Sequence, residues 1–272
     1  MPSLALDHCT IHYRDSGGAG RTILFTHGAG ADHVMFDAQY EFLKERGYRV
    51  VTWDQRGHGR SESTIPFNKE QALRDAVDLV RALGLGTPVL AGQSLGGNLS
   101  QELVRQHPES FSALIVMDSA WNAGPLSRGD RFWLRLATPS LRMIPWRVLP
   151  GIMAGASAAT QAAKADVERA FRQLDKRRFL EAWQATVDLL RPEPGYRTPV
   201  PLLLVRGALD GTGTIAATMP RWAAAEGVAE HVVAGAGHMV TQDAPDAVNE
   251  LIETFLNGEG PPETEGPSTE EL

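Results

Sequence analysis

The amino-acid sequence predicts an α/β fold built on a doubly wound, mostly parallel sheet with an inserted helical lid. Six short apolar runs end in polar or glycine residues, which is typical of strands buried on both faces. Helical patterns lie between these runs, so that strand and helix alternate along much of the chain. One long interval, residues 121–197, has helical patterns and no strand pattern, and it predicts the lid.

The predicted strands follow one another along the whole chain. They are RTILFTHG at 21–28, YRVVTWD at 48–54, PVLAGQ at 88–93, SALIVMD at 112–118, PLLLVRG at 201–207 and EHVVAG at 230–235. Because ligands of such sheets bind beyond the carboxyl ends of the strands, we expect functional residues just after these runs.

Three helices are predicted between the strands. The first begins after Asn68, which has Gln71 three residues later as a capping signal, and ends at Gly84. A second helix extends from Leu95 to about His107, and a third lies near the end of the chain. The apolar faces that we expect to be buried are Leu73, Val77, Val80 and Leu83 in the first helix and Ala247, Leu251 and Phe255 in the third.

The lid interval is rich in aromatic and methionine side chains. We expect four of them to be candidate substrate-binding residues: Trp121, Trp133, Met143 and Trp183. The alternative is that the aromatic residues only pack the lid against the sheet. The sequence therefore divides into a core, residues 1–120 and 198–257, a helical lid, residues 121–197, and a disordered acidic tail, residues 258–272.

Composition excludes several classes of protein. The formal net charge is -7, and the last sixteen residues hold five glutamates without Lys or Arg, so the remainder has no strong field. No basic patch indicates a nucleic-acid partner, and no apolar run is long enough to span a membrane, so we expect neither partner. Without a signal-peptide pattern, we expect a cytoplasmic protein. The single cysteine, and the lack of a phosphate loop or a dinucleotide fingerprint, predict no metal and no cofactor.

A serine stands between a predicted strand and a predicted helix, in the stretch VLAGQSLGGNLSQEL at 89–103. Gly92 and Gly96 flank Ser94 at two residues on each side. The amide groups at the start of the helix would favour negative charge next to the hydroxyl. This arrangement resembles the G-x-S-x-G nucleophile elbow of the α/β-hydrolase fold superfamily.

The resemblance implies a catalytic triad in the chain order serine, acid, histidine. It assigns Ser94 as nucleophile, Asp210 after the strand PLLLVRG as the acid, and His238 after the strand EHVVAG as the general base. Asp118, at the end of the strand before the lid, remains an alternative acid, because some superfamily members carry the acid there.

Two further stretches match the superfamily. FTHGAGADH at 25–33 resembles its His-Gly oxyanion loop, which implies that the backbone N–H groups of Ala29 and Leu95 form the oxyanion hole. His27 is expected to organise this loop rather than to carry a proton. WDQRGHGRSE at 53–62 matches D-x-R-G-x-G-x-S, in which we expect Asp54 and Arg56 to form a buried ion pair.

These residues predict a carboxylesterase-like hydrolase that cleaves an uncharged, apolar ester through an acyl-Ser94 intermediate. Lactonases, carbon–carbon bond hydrolases and serine peroxidases share the same triad, and a ligand receptor that does not turn over is an alternative from another class. Haloalkane dehalogenases and epoxide hydrolases are disfavoured because they have aspartate at the elbow. The substrate itself and the oligomeric state do not follow from the sequence.

Overall fold

The computed structural model describes residues 1–258, in which nine strands and ten α-helices alternate. The expected disordered tail, residues 258–272, lies outside the described residues apart from Gly258. The strands are β1 (Ser3–Leu6), β2 (Cys9–Asp15), β3 (Thr22–Thr26), β4 (Arg49–Trp53), β5 (Glu62–Ser63), β6 (Val89–Gln93), β7 (Ala113–Met117), β8 (Leu202–Gly207) and β9 (Glu230–Val233). The helices are α1 (Asp37–Glu45), α2 (Lys69–Ala82), α3 (Leu95–Gln106), α4 (Arg128–Met143), α5 (Leu149–Ser157), α6 (Gln161–Phe171), α7 (Lys176–Asp188), α8 (Ile215–Glu226), α9 (Val240–Asp243) and α10 (Pro245–Leu256).

The strands form one sheet in the order β1-β2-β4-β3-β6-β7-β8-β9, and β5 pairs with β2. The pairs β4–β3, β3–β6, β6–β7, β7–β8 and β8–β9 are parallel. The pairs β1–β2, β2–β4 and β2–β5 are antiparallel. The doubly wound, mostly parallel sheet predicted from the sequence is therefore confirmed, and all six predicted strands are present. Strands β1, β2 and β5 were not predicted, because they do not form continuous apolar runs and most of their residues are at least partly exposed.

Two apolar layers cover the two faces of the sheet. One layer includes residues of α1 and α10 together with residues of α5, α6 and α7, and the other includes residues of α2, α3 and α8. The carboxyl ends of β6, β7, β8 and β9 lie side by side in this arrangement, so the loops that follow them share one edge of the sheet.

Helix α2 shows how the sequence sets local structure. Asn68 caps it as expected, since its side chain accepts a hydrogen bond from the Gln71 amide at 2.9 Å. On the predicted apolar face Leu73 is buried, and Val77, Val80 and Leu83 are partly buried and pack against the same core. The buried side of the helix also includes Asp75, which turns inwards to a buried arginine described below.

The helical character predicted for residues 121–197 is present in α4 to α7, which lie between β7 and β8. We call these four helices the helical insertion. None of the helices in residues 1–258 is long and apolar enough to cross a membrane.

Candidate active site

Ser94 occupies the tight turn between β6 and α3. Its backbone lies in the left-handed region, with φ 51° and ψ -119°, where a non-glycine residue is strained. The turn is closed on both sides by glycine. A β-carbon on Gly96 would lie 1.9 Å from the carbonyl oxygen of Thr26, and one on Gly92 would lie 2.3 Å from the carbonyl oxygen of Gly96. Only glycine fits at these two positions, because the helix and the neighbouring strand approach so closely.

Asp210 and His238 are brought together from the loops after β8 and β9. The His238 Nδ1 atom and the Asp210 Oδ2 atom are 3.0 Å apart, and the two side chains are 8% and 0% exposed. The Thr212 amide donates to Asp210 Oδ1 at 2.8 Å, and the Gln93 side-chain amide donates to the His238 carbonyl at 2.7 Å. With Nδ1 engaged by the carboxylate, the Nε2 atom of the imidazole is left for a reaction partner.

Ser94 and His238 line the same cavity. Among the described residues, no hydrogen bond joins the Ser94 hydroxyl to the imidazole. Catalytic hydrogen bonds of this kind are often long or absent without substrate and form when it binds. Ser94, the His238 imidazole and the Asp210 carboxylate therefore lie close together at one edge of the sheet.

Asp118 lies beside this pair, directly after β7, with φ 43°. Its Oδ1 atom accepts a hydrogen bond from the Gly207 amide at 2.8 Å, and its Oδ2 atom accepts one from the Val240 amide at 3.3 Å. Complete burial and the neighbouring Asp210 carboxylate raise the pKa of Asp118 well above its ordinary value. Its surroundings thus favour the uncharged form of Asp118.

Asp210 is the ionised member. Burial opposes its ionisation, but the positive charge and hydrogen bond of His238 outweigh burial, so the pKa of Asp210 lies below its ordinary value. The structure thus distinguishes the two candidate acids: His238 is hydrogen-bonded to Asp210, and Asp118 supports the loops around them.

Asp118, Asp210 and His238 also offer atoms that could in principle hold a metal ion, since these atoms lie within 4.8 Å of one another. The hydrogen bond between His238 and Asp210 and the two backbone bonds of Asp118 already use these atoms. These hydrogen bonds explain why the three side chains lie so close together.

The candidate oxyanion loop follows β3 and runs next to the serine turn. A β-carbon on Gly28 would lie 3.2 Å from the Ser94 β-carbon, and Ala29 lines the cavity. Leu95 is the first residue of α3, so its N–H has no partner within the helix. His27 is fully buried. Its ring is held by the Gly28 carbonyl on Nδ1 and by the Gln55 amide on Nε2, so it organises the loop.

The prediction of an ion pair between Asp54 and Arg56 is wrong. Arg56 instead forms two bonds to the Asp75 carboxylate of α2, both at 2.7 Å and fully buried. Asp54 accepts hydrogen bonds from the backbone and ring of His33, both at 2.8 Å. The acid that pairs with Arg56 comes from a helix 19 residues away along the chain, and no local motif in the sequence identifies it.

Ser94 opens onto two cavities. One has a volume of about 300 Å³ and is lined by Ala29, Met153, Phe171 and His238 among others, and the second, of about 100 Å³, extends beneath α4. None of the described residues lining either cavity is Lys, Arg, Asp or Glu. A larger groove of about 640 Å³ lies between α2, α4 and α7, but its lining is largely charged and includes none of the residues of the serine site.

The four candidate substrate-binding residues lie in different places, and only one of them lines the cavities next to Ser94. Trp183 lines both cavities of Ser94, whereas Trp133 and Met143 are 70% and 84% exposed on the outside of α4. Trp121 stacks on Trp222, with ring centroids 6.2 Å apart, and lines neither cavity. This corrects the expectation for Trp121, Trp133 and Met143. The sequence predicts only that residues 121–197 are helical, and the rotation of α4 depends on which of its sides faces the core.

The family follows from comparison with known proteins. The model of the alpha/beta hydrolase family matches residues 23–251, which is most of the chain. The chain therefore belongs to the alpha/beta hydrolase family, as its serine turn suggested. Membership of this family supports a hydrolase activity.

Individual relatives resemble the chain to different extents. 3-oxoadipate enol-lactonase 2 of Acinetobacter baylyi is 23% identical over 268 residues, covering 93% of this chain and 96% of that protein. A non-heme haloperoxidase of Rhodococcus erythropolis is 39% identical, but the match covers only 43% of this chain and 42% of that protein. The crystal structure of the enol-lactonase from Burkholderia xenovorans LB400 has a TM-score of 0.79, with 24% identity over 94% of this chain and 100% of that chain. At this identity the likeness shows the shared fold alone.

Proposed function

We propose that the protein is a serine hydrolase that cleaves uncharged carboxylic esters through an acyl-enzyme on Ser94. The observation that carries the proposal is the strained turn at Ser94, which opens onto the same cavity as a histidine held by a buried carboxylate. A serine hydroxyl is a weak nucleophile until a neighbouring base accepts its proton, and this arrangement supplies that base.

The reaction has two stages. The Ser94 oxygen attacks the ester carbonyl carbon while its proton passes to Nε2 of His238, and the amides of Ala29 and Leu95 stabilise the negative oxygen. When the intermediate collapses, the alcohol leaves with the proton from His238, and the acyl group stays on Ser94. Water then attacks the acyl carbonyl by the same proton route and restores the serine. Asp210 holds the imidazole in the required tautomer throughout.

The cavities support an uncharged, apolar substrate. Neither lining offers a cation to bind a carboxylate, and the two volumes of about 300 and 100 Å³ are unequal, which suits an ester with one larger and one smaller group. Trp183 lines both cavities. We propose Trp183, together with Phe171 and Met153, as contacts for the apolar part of the substrate.

A lactonase is the second candidate. The two enol-lactonases above match nearly the whole chain, and a lactone is a cyclic ester that the same serine chemistry opens. A lactonase would act on a ring that fits the larger cavity, with the alcohol group remaining attached to the product.

The test is hydrolysis of p-nitrophenyl esters from acetate to decanoate by the wild type and by Ser94→Ala. We expect kcat/KM of the wild type to rise from acetate to medium chains and then to level off, because each buried methylene contributes up to ~0.8 kcal/mol until the cavity is full. Ser94→Ala should lose ~10⁶ in turnover while its melting temperature does not fall.

The control is labelling with a fluorophosphonate, which should modify Ser94 alone. Labelling of another residue would refute the assignment of the nucleophile. A monotonic fall from acetate would reject the apolar cavity, and a single stoichiometric burst without turnover would make the protein a receptor.

A further inference from the structure

Helix α4 exposes a band of large apolar side chains. Phe132 and Trp133 are 56% and 70% exposed, and Leu136 and Met143 are 38% and 84% exposed. At 3.6 residues per turn these positions share one side of the helix, which we call the outer face of α4. Exposed apolar side chains gathered on one helix face, rather than scattered singly, mark an interaction site.

Packing within the chain does not use this face. Thr138 is the only buried residue of α4, and Leu134 and Ala137, which line the smaller cavity of Ser94, lie on the opposite side. The helix therefore has an inner side that covers the serine site and an outer face that is largely exposed.

Arginines accompany the outer face. Residues 128–157 contain five arginines and one aspartate, in a chain whose formal net charge is -7. The aspartate, Asp130, is occupied in a capping box with Ser127 at the start of the helix. In the described part of the chain, no ion pair involves any of the five, which are Arg128, Arg131, Arg135, Arg142 and Arg147. Four of them lie on α4 at positions next to the outer face, and one of these, Arg142, also lines the larger groove between α2, α4 and α7.

We propose that the outer face of α4 docks on an anionic lipid surface. Tryptophan, phenylalanine, leucine and methionine enter the boundary between headgroups and acyl chains, and the flanking arginines pair with lipid phosphates, as in interfacial amphipathic helices. A second copy of the same face is a poorer partner, because a symmetric contact would bring the two sets of arginines together. The surface charge is thus complementary to an anionic bilayer and not to itself.

This docking replaces the expectation of no membrane partner. That expectation rested on the lack of a spanning segment, which says nothing about a helix that lies in the interface. Docking would place the helix that covers the smaller cavity against a phase in which apolar esters dissolve. The inference concerns binding and does not depend on the chemistry of Ser94, so Ser94→Ala should bind vesicles as the wild type does.

The experiment is co-sedimentation of the full chain with vesicles of phosphatidylcholine alone or mixed with phosphatidylglycerol at about 3:1. We expect binding to the anionic vesicles that weakens as salt increases, and little binding to phosphatidylcholine alone. Trp133→Phe should bind as well as the wild type, while the blue shift of tryptophan emission on binding is reduced.

Two double variants separate the contributions. Phe132→Ser with Trp133→Ser should lower binding at least tenfold, and Arg131→Gln with Arg135→Gln should lower it by roughly 30-fold on anionic vesicles only. Matched controls on other surfaces are Val232→Ser, at a residue 47% exposed, and Arg81→Gln, at a side chain 76% exposed; both should bind as the wild type does. Melting temperatures of all variants check the fold.

Three results would overturn the proposal. One is equal binding of the double variants and the wild type. Another is no binding of the wild type to anionic vesicles at low salt. The third is a concentration-dependent dimer, seen by sedimentation equilibrium, that Phe132→Ser with Trp133→Ser abolishes, since a second copy would then cover the face.

Discussion

At the scale of single residues, the pKa values of Asp118 and Asp210 are shifted in opposite directions although the two carboxyl groups lie side by side. Burial and the neighbouring Asp210 charge raise the pKa of Asp118, whereas the hydrogen bond to His238 helps to lower the pKa of Asp210. Asp118 is completely buried and accepts hydrogen bonds from the Gly207 and Val240 amides. It therefore links the end of β8 to the start of α9, which follows the loop after β9. The two groups therefore have separable roles, one in orienting His238 and one in positioning the loops.

Replacement of each acid by its amide tests this separation. Asp210→Asn should lower kcat by ~10⁴, because the amide cannot fix the imidazole tautomer or stabilise its cation. Asp118→Asn should lower kcat less than about tenfold, because Asp118 is hydrogen-bonded to two backbone amides, whereas the imidazole is hydrogen-bonded to Asp210. Kinetics on one short ester at pH 8, with melting temperatures as the folding control, make the comparison. The reverse ranking would assign the orienting carboxylate to Asp118.

At the scale of elements, the helical insertion is tied to the loop that would stabilise the oxyanion. Arg169 of α6 forms bonds of 2.8 and 2.9 Å to both oxygens of Asp32, and Gln173 adds a third at 3.1 Å. Asp32 also accepts from the Val34 amide, so the same carboxylate shapes the turn just after Ala29. The position of the insertion and the shape of the loop are thus coupled through one buried carboxylate.

Arg169→Met should loosen this coupling. It leaves the Asp32 carboxylate, which is 4% exposed, with only Gln173 and a backbone amide, and we expect the free energy of unfolding to fall by roughly 2 kcal/mol. The KM for apolar esters should rise severalfold, with kcat nearly unchanged. Urea unfolding and ester kinetics measure the two effects.

The matched control is Arg172→Met on the same helix. Arg172 pairs only with Glu168, and both side chains are well exposed, so its loss should cost under about 0.5 kcal/mol. Equal effects of the two substitutions would show that the pair between Arg169 and Asp32 does not hold the insertion.

Elements were easier to predict from the sequence than the contacts between them. The parallel strands were found because each is a short and largely apolar run, and the serine turn was found because two glycines bracket Ser94. Strand β2 was missed because its alternate residues are half-exposed at the antiparallel side of the sheet. The partner of Arg56 and the outward rotation of Trp133 depend on tertiary packing, which no local spacing records.

At the scale of the whole molecule, buried histidines make stability depend on pH. His58 is 1% exposed, its Nδ1 atom faces the Arg56 carbonyl, and its Nε2 atom has no hydrogen-bond partner in the described structure. Burial, with the nearby His27, lowers the pKa of His58 to about 3. Burial also lowers the pKa of His27, whose ring lies 5.1 Å from that of His58. Both rings are therefore neutral in the folded protein at neutral pH.

The sign of the effect follows from proton binding. Below about pH 6.5 an unfolded histidine takes up a proton that buried His58 does not, so the free energy of the unfolded state falls relative to that of the folded state as pH falls. His58 thus stabilises the fold fully above that pH and loses its contribution down to its folded pKa of about 3. Between pH 7.5 and 4.5, loss of the His58 contribution should lower the free energy of unfolding by roughly 2–3 kcal/mol, and His27 should lower it further.

His58→Phe tests this assignment, because it keeps a ring beside Phe67 and removes the titrating group. The free energy of unfolding, from urea titrations between pH 7.5 and 4.5, should fall by roughly 2–3 kcal/mol less in His58→Phe than in the wild type. The carboxylates whose pKa is lowered, such as Asp54, begin to lose their contribution near pH 5, but they are present in both proteins, so the comparison subtracts them. His8→Phe is the control, since its side chain is 55% exposed, and it should follow the wild type. If His58→Phe kept the full pH dependence, the loss of stability in acid would have to come from His27 and other groups instead.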